Sequence, residues 1–218
     1  MQSISQHRLM QSIRFVLLLV LSPALWVHYV VADDPALLPF ERTETREPCS
    51  QYTPQKRPMF GDLHVHTSYS FDSYLSSQRN DPNAAYRYAK GETILVPNAD
   101  GISDVPAKIS RPLDFAGITD HAEFLGEINL CSGDSSSLAY WWPHCAMMRS
   151  DNIWIQLLAA NWMTRLGGQE IADPERSFVC KIGDCDVAHA NAWQSIQEAA
   201  EDHYDRTSDC TFTSFIGY

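Results

Sequence analysis

The sequence predicts an α/β fold, parallel strands alternating with helices, and three observations carry that prediction. Leu113-Asp114-Phe115-Ala116-Gly117-Ile118-Thr119 is a near-continuous apolar run, bounded by Arg111-Pro112 before and Asp120-His121 after. That is the pattern of a parallel strand covered on both faces. Gly61 to His66 is a second short run, carrying Asp62 and a His-x-His pair. The stretches around these two hold helix caps, helix stops and apolar stripes of helical period, which gives β-α-β with a long crossover.

In chain order, Met1 to Ala32 reads as an export signal. His7, Arg8 and Arg14 precede an apolar stretch from Phe15 to Val31, and Val30-Val31-Ala32 before Asp33-Asp34 fits a cleavage site. The rival reading is an uncleaved anchor, weakened by Pro23 and His28. Residues 33–58, with Pro35, Pro39, Pro48, Pro54 and Pro58, form a linker or surface arm. The first strand starts near Phe60. Asp81 caps a helix with Pro82 at its first position, Ala84, Ala85, Tyr88 and Ala89 as its inner face and Gly91 as its stop. Pro97, Asn98, Gly101 and Pro106 mark an irregular or hairpin-like excursion before the second strand. Leu130 to Arg149 reads as a turn-rich insertion, in which Trp141 and Trp142 pack under the loop and His144 is an ordinary loop histidine. Ser150-Asp151 caps a helix reaching about Leu166, apolar around most of its circumference and so buried on two sides or covering a neighbour. A further helix, capped by Asp184 or Asp186, carries the stripe Val187, Ala190, Trp193, Ile196, Ala200 and Tyr204. The third strand runs from Cys210 to Tyr218.

The chemistry lies at the strand ends. Residues two apart on a strand project from one face, so His64 and His66 aim both imidazoles at one point, the beginning of a divalent-metal site. Alone, the pair is equally two partly exposed histidines. Asp120-His121 at the end of the second strand shifts that balance, because α/β sites are assembled at the C-terminal ends of strands.

The segments Gly61–Ser73 and Asp114–Gly126 resemble the first two motifs of the polymerase and histidinol phosphatase (PHP) phosphoesterases. More closely, residues 59–218 resemble a secreted PHP-like family catalogued as domain of unknown function 3604. The resemblance implies the N-terminal part of a distorted β/α (PHP/TIM-like) barrel, incomplete here, with a helical, disulfide-stapled insertion. It implies His64, His66 and His121 as metal ligands and Asp72 as a further one, with Asp120 and Glu123 as candidates for acid–base work. It implies two or three divalent ions (zinc, manganese or iron) in an intact homologue, and a phosphate-ester substrate attacked by a metal-activated water. The resemblance also calls for a glutamate after Gly217-Tyr218 and for later histidine and Asp-x-His ligands, so the chain is expected to be a truncated, catalytically incompetent piece. The alternatives are an amidohydrolase-type enzyme, which needs later lysine and histidine ligands, and a non-catalytic secreted fragment.

A net charge of −11 disfavours nucleic acid and anionic lipid as partners. Cleavage after Ala32 removes Arg8 and Arg14 and no acid, taking the charge from −11 to −13. Membrane contact is expected only through an uncleaved signal segment. Six cysteines in an exported, periplasmic or secreted chain favour disulfides. Cys131 with Cys145 is the expected pair, with Cys180 and Cys185 joined locally or bridged to the barrel.

Overall fold

Three parallel strands make the main sheet: β1 (Gly61–Val65), β4 (Phe115–Ile118) and β5 (Thr213–Ile216), in the order β1-β4-β5. The computed structural model describes residues 46–98, 103–133, 135–166 and 176–218. The export-signal reading of 1–32 and the arm up to residue 45 lie outside the described residues. Gly61 pairs with Phe115 and Val65 with Ile118, with a register shift between Asp62 and Val65. The class is mixed α/β, as the two apolar runs predict. Among the described residues the sheet does not close into a barrel.

The central strand is covered by helices on one face only, which corrects the two-sided cover expected of it: Ala116 and Ile118 are buried in the core, while Gly117, on the other face, lies between its strand neighbours. A Cβ on Gly117 would stand 3.1 Å from Leu63 Cδ2 and 3.4 Å from Phe215 Cβ. Leu63 and Phe215 are about half exposed, so this face of the sheet is open while the other carries the core.

The β1-to-β4 crossover contains α1 (Phe71–Leu75), α2 (Pro82–Ala89) and a hairpin of β2 (Ile94–Pro97) and β3 (Asp104–Ala107). Asp81 caps α2 as expected, its Oδ1 accepting from Ala84 N–H at 2.8 Å, and Gly91 takes φ 82° just past the helix end. The inner face of α2 is rotated from the expected one. Pro82, Ala84, Tyr86 and Ala89 are buried, and Ala85 and Tyr88 are half-buried. Tyr86 decides the rotation: its ring meets Phe212 and its hydroxyl donates to Phe215 O at 2.9 Å. Burial pushes its phenol up to about 12.

The β4-to-β5 crossover is helical: α3 (Leu125–Ser132), α4 (Pro143–Met148), α5 (Ile153–Leu166), a 3₁₀ turn (Phe178–Lys181) and α6 (Cys185–His203). Residues 130–149 are thus less loop-like than expected. Asp184 caps α6 through the N–H groups of Asp186 and Val187. Its buried stripe is Cys185, Ala188, Ala192, Ile196, Ala199 and Ala200, and Val187 faces solvent, which corrects the expected stripe. Small residues win there because α3 crosses closely: a Cβ on Gly126 would lie 2.3 Å from Cys185 O.

Helix α5 departs most from expectation. Asn152, not Ser150 or Asp151, accepts from the first turn, at Trp154 N–H. Gln156 and Ala159 form its buried stripe, while Ile153, Trp154, Leu157, Leu158 and Trp162 are exposed. Trp141 is also exposed rather than packed under a loop, and Trp142 stands at the same surface. His144 is buried in α4, its Nε2 2.9 Å from Ala159 O, where it ties α4 to α5. Cys131–Cys145 forms as expected and Cys180–Cys185 takes the local alternative. The third bridge, Cys49–Cys210, was not foreseen and joins the arm to the loop before β5. Three disulfides point to an oxidising, extracellular-type environment. Among the described residues no helix is long and apolar enough to cross a membrane.

Candidate metal centre

The ends of β1 and β4 are fastened by one buried pair. Thr67 N–H donates to Asp120 Oδ1 at 2.5 Å and Thr67 Oγ to Asp120 Oδ2 at 2.7 Å, with both residues essentially inaccessible. Desolvation pushes the Asp120 carboxyl above its ordinary value despite those two bonds. Both Asp120 oxygens are therefore engaged in holding the strand ends together.

From that fastening the chain turns through Ser70 into α1. Ser70 is fully buried; its Oγ donates to Asp72 Oδ1 at 2.5 Å and accepts from His121 N–H at 3.1 Å. Asp72, in the first turn of α1, also accepts from Ser73 N–H at 2.7 Å. Desolvation raises its carboxyl, but the bonds from Ser70, Ser73 and His66 together hold it below its ordinary value. A carboxylate kept ionised in this way is ready to face a cation.

Three side chains converge. Asp72 Oδ2 is 2.9 Å from His66 Nδ1 and 3.6 Å from His121 Nε2. One ligand atom from each of the three lies within 4.8 Å of the others. Neighbouring donors on one ion with bonds of roughly 2.1 Å stand roughly 3–3.4 Å apart, so the two Asp72 spacings already approximate the edges of a coordination polyhedron. Two imidazoles and a carboxylate are a donor set suited to zinc, manganese or iron. By spacing and by chemistry the residues fit a divalent ion.

The remaining expected residues surround this trio. His64, in β1, stacks on His66, just past the end of the strand, with ring centroids 4.8 Å apart and planes 16° from parallel. It stands beside the trio and is not one of its three closest donors. Asp62 accepts the backbone His64 N–H at 2.8 Å. Glu123 Oε2 is 3.2 Å from His121 Nδ1. A proton on Nδ1 bonded to that carboxylate would leave the His121 Nε2 lone pair free for a cation between it and Asp72. Phe71 packs against the His121 ring at 4.9 Å. His203 lies elsewhere, 3.3 Å from Lys90 Nζ, and His189 sits on α6 near Gly126.

Sequence reasoning missed Thr67, which holds Asp120, and Ser70, which holds Asp72 and the His121 backbone. Their signal was the hydroxyl-rich Thr67-Ser68-Tyr69-Ser70 run directly after the histidines. A cavity of about 1030 Å³ opens beside His64 and His66, between β1, α2 and the hairpin, with Asn80, Tyr88 and Arg111 among its lining residues.

No curated protein and no solved structure matches the chain. A family model does, over residues 53–218, from the end of the arm through both histidine motifs and the third strand. The chain belongs to that family, described as protein of unknown function (DUF3604).

Proposed function

We propose that this chain carries the cation-binding part of a PHP-like, metal-dependent hydrolase acting on phosphate esters. The observation that supports it is the convergence of His66 and His121, from two neighbouring strand ends, on the ionised Asp72. When bound, a divalent ion would supply Lewis acidity, lowering the pKa of a water and polarising a phosphoryl oxygen. His66, Asp72 and His121 would hold it, and Glu123 would fix the His121 ring. Arg111, at the wall of the adjoining cavity, is a cation suited to a phosphate. Thr-Asp-His at residues 119–121 favours this reading over the amidohydrolase type.

Three side chains leave coordination positions open, and a second cation finds no comparable trio of untethered donors among the described residues. Turnover by the 218-residue chain alone is accordingly expected to be negligible. Product binding separates this reading from a purely structural metal site. Inorganic phosphate should bind the chain loaded with zinc or manganese, and not the chelated chain, in calorimetric titrations. Phosphate that ignores the loaded chain would remove the phosphate-ester reading; turnover well above free-metal background would remove the claim of incompetence.

A further inference from the structure

We propose that Cys49–Cys210 is a thiol–disulfide exchange site, opened by a small external thiol. Both cysteines are half-buried, so a sulfur can be approached from solvent. The Arg46 guanidinium lies against both sulfurs: Nη2 is 3.4 Å from Cys49 Sγ and 3.1 Å from Cys210 Sγ. Arg46 is itself held in place, donating through Nη1 to the Tyr204 hydroxyl. A fixed cation beside a sulfur stabilises thiolate and so makes it a better leaving group. Cys210 adds a third feature, a φ of 47°, in the left-handed region that a non-glycine residue disfavours.

The loop that carries Cys210 is also tied by hydrogen bonds of its own. Asp205 accepts from both N–H and Oγ of Thr211 and of Thr207. Those bonds, the Thr211 backbone first, hold its carboxyl well below the usual range. Thr207 O stands 3.3 Å from Cys210 Sγ, an acceptor for the thiol proton once the bridge opens.

The other two bridges are less suited. Cys131 and Cys145 are fully buried. Cys185 opens α6, whose N-terminus favours a thiolate, but it is buried, and its accessible partner Cys180 faces Glu127 Oε1 at 3.3 Å. Attack must fall on the accessible Cys180, and the Glu127 carboxylate beside it repels an incoming thiolate, whereas the Arg46 guanidinium at Cys49–Cys210 attracts one.

In the exchange, a thiolate R–S⁻ attacks one of the two sulfurs. The S–S bond breaks and its electron pair leaves on the other sulfur as a thiolate beside Arg46. A second R–S⁻ attacks the thiol-derived sulfur of the mixed disulfide, releasing R–S–S–R and the second protein thiolate. The protein gains two electrons and, on protonation, two protons. Opening the bridge unpins the arm that leads into β1 from the loop that leads into β5, leaving the Ser50 N–H to Ser208 O bond and the Arg46–Tyr204 contact.

The test uses the 218-residue chain in graded glutathione, quenched by alkylation and mapped by peptide mass spectrometry. Cys49 and Cys210 should be alkylated first, at least about tenfold faster than the other four cysteines. Arg46→Gln should slow that opening about 3–10-fold and Arg46→Lys less, with the other pairs unchanged. In the wild type, an anionic thiol should open the bridge faster than a neutral one at equal thiolate concentration, and salt should narrow the gap. First labelling at Cys180 and Cys185 would overturn the proposal, as would indifference to both the Arg46 charge and the charge of the thiol.

Discussion

Tyr86→Ala is expected to destabilise the fold by about 3–5 kcal/mol, the range for emptying a buried aromatic site. Tyr86 is inaccessible and packs in one cluster with Ala89, Ala116, Ile118, Ala199, Ala200 and Phe212. It joins α2, β4 and α6 and reaches β5 through its hydroxyl. Tyr86→Phe keeps the packing and removes that hydroxyl, so it should cost about 0.5–1.5 kcal/mol, the net worth of a hydrogen bond whose acceptor, on the half-exposed Phe215, can turn to water. Urea denaturation followed by circular dichroism measures both. Equal losses for the two variants would mean that the hydrogen bond, and not the ring, holds α2 to the sheet.

Asp72→Ala should lower zinc or manganese affinity by about 100-fold or more, since even outer partners of ligands are worth about 10–100-fold. Asp72 is the common partner of both histidines, at 2.9 and 3.6 Å, and Ser70 and Ser73 keep it oriented and charged. Glu123→Ala should cost about tenfold, because it removes the group that orients His121 but no ligand. Competition against a chromophoric chelator gives these values. A Glu123 effect equal to that of Asp72 would move Glu123 into the ligand set, and unchanged affinity in Asp72→Ala would remove Asp72 from it.

The parts of this molecule legible in its sequence were those set by local chemistry. Asp81-Pro82 and Gly91 bracket α2 because capping and the left-handed turn are decided within a few residues. The buried strand 115–118 was legible because an apolar run with few polar interruptions has few other places to go. The convergence of His66, Asp72 and His121 followed from the resemblance and from two motifs falling at strand ends. What failed was long-range. Nothing near Tyr86 announces that Phe215, far along the chain, will accept its proton. The α6 stripe was misplaced because close approach at Gly126 selects alanines over the larger Val187. Helix α5 misled because apolar composition alone does not say which face finds a partner; Gln156 and Ala159 are the ones that do. Cys49–Cys210 spans 161 residues and leaves no local trace.

X-ray absorption spectroscopy on the zinc-loaded chain tests the central claim most directly. The spectrum should show a first shell of nitrogen and oxygen donors, with the outer scattering of two imidazoles, and should fall to one imidazole in His66→Ala and in His121→Ala. Sulfur in the first shell, or two imidazoles that survive both substitutions, would contradict a cation held by His66, Asp72 and His121.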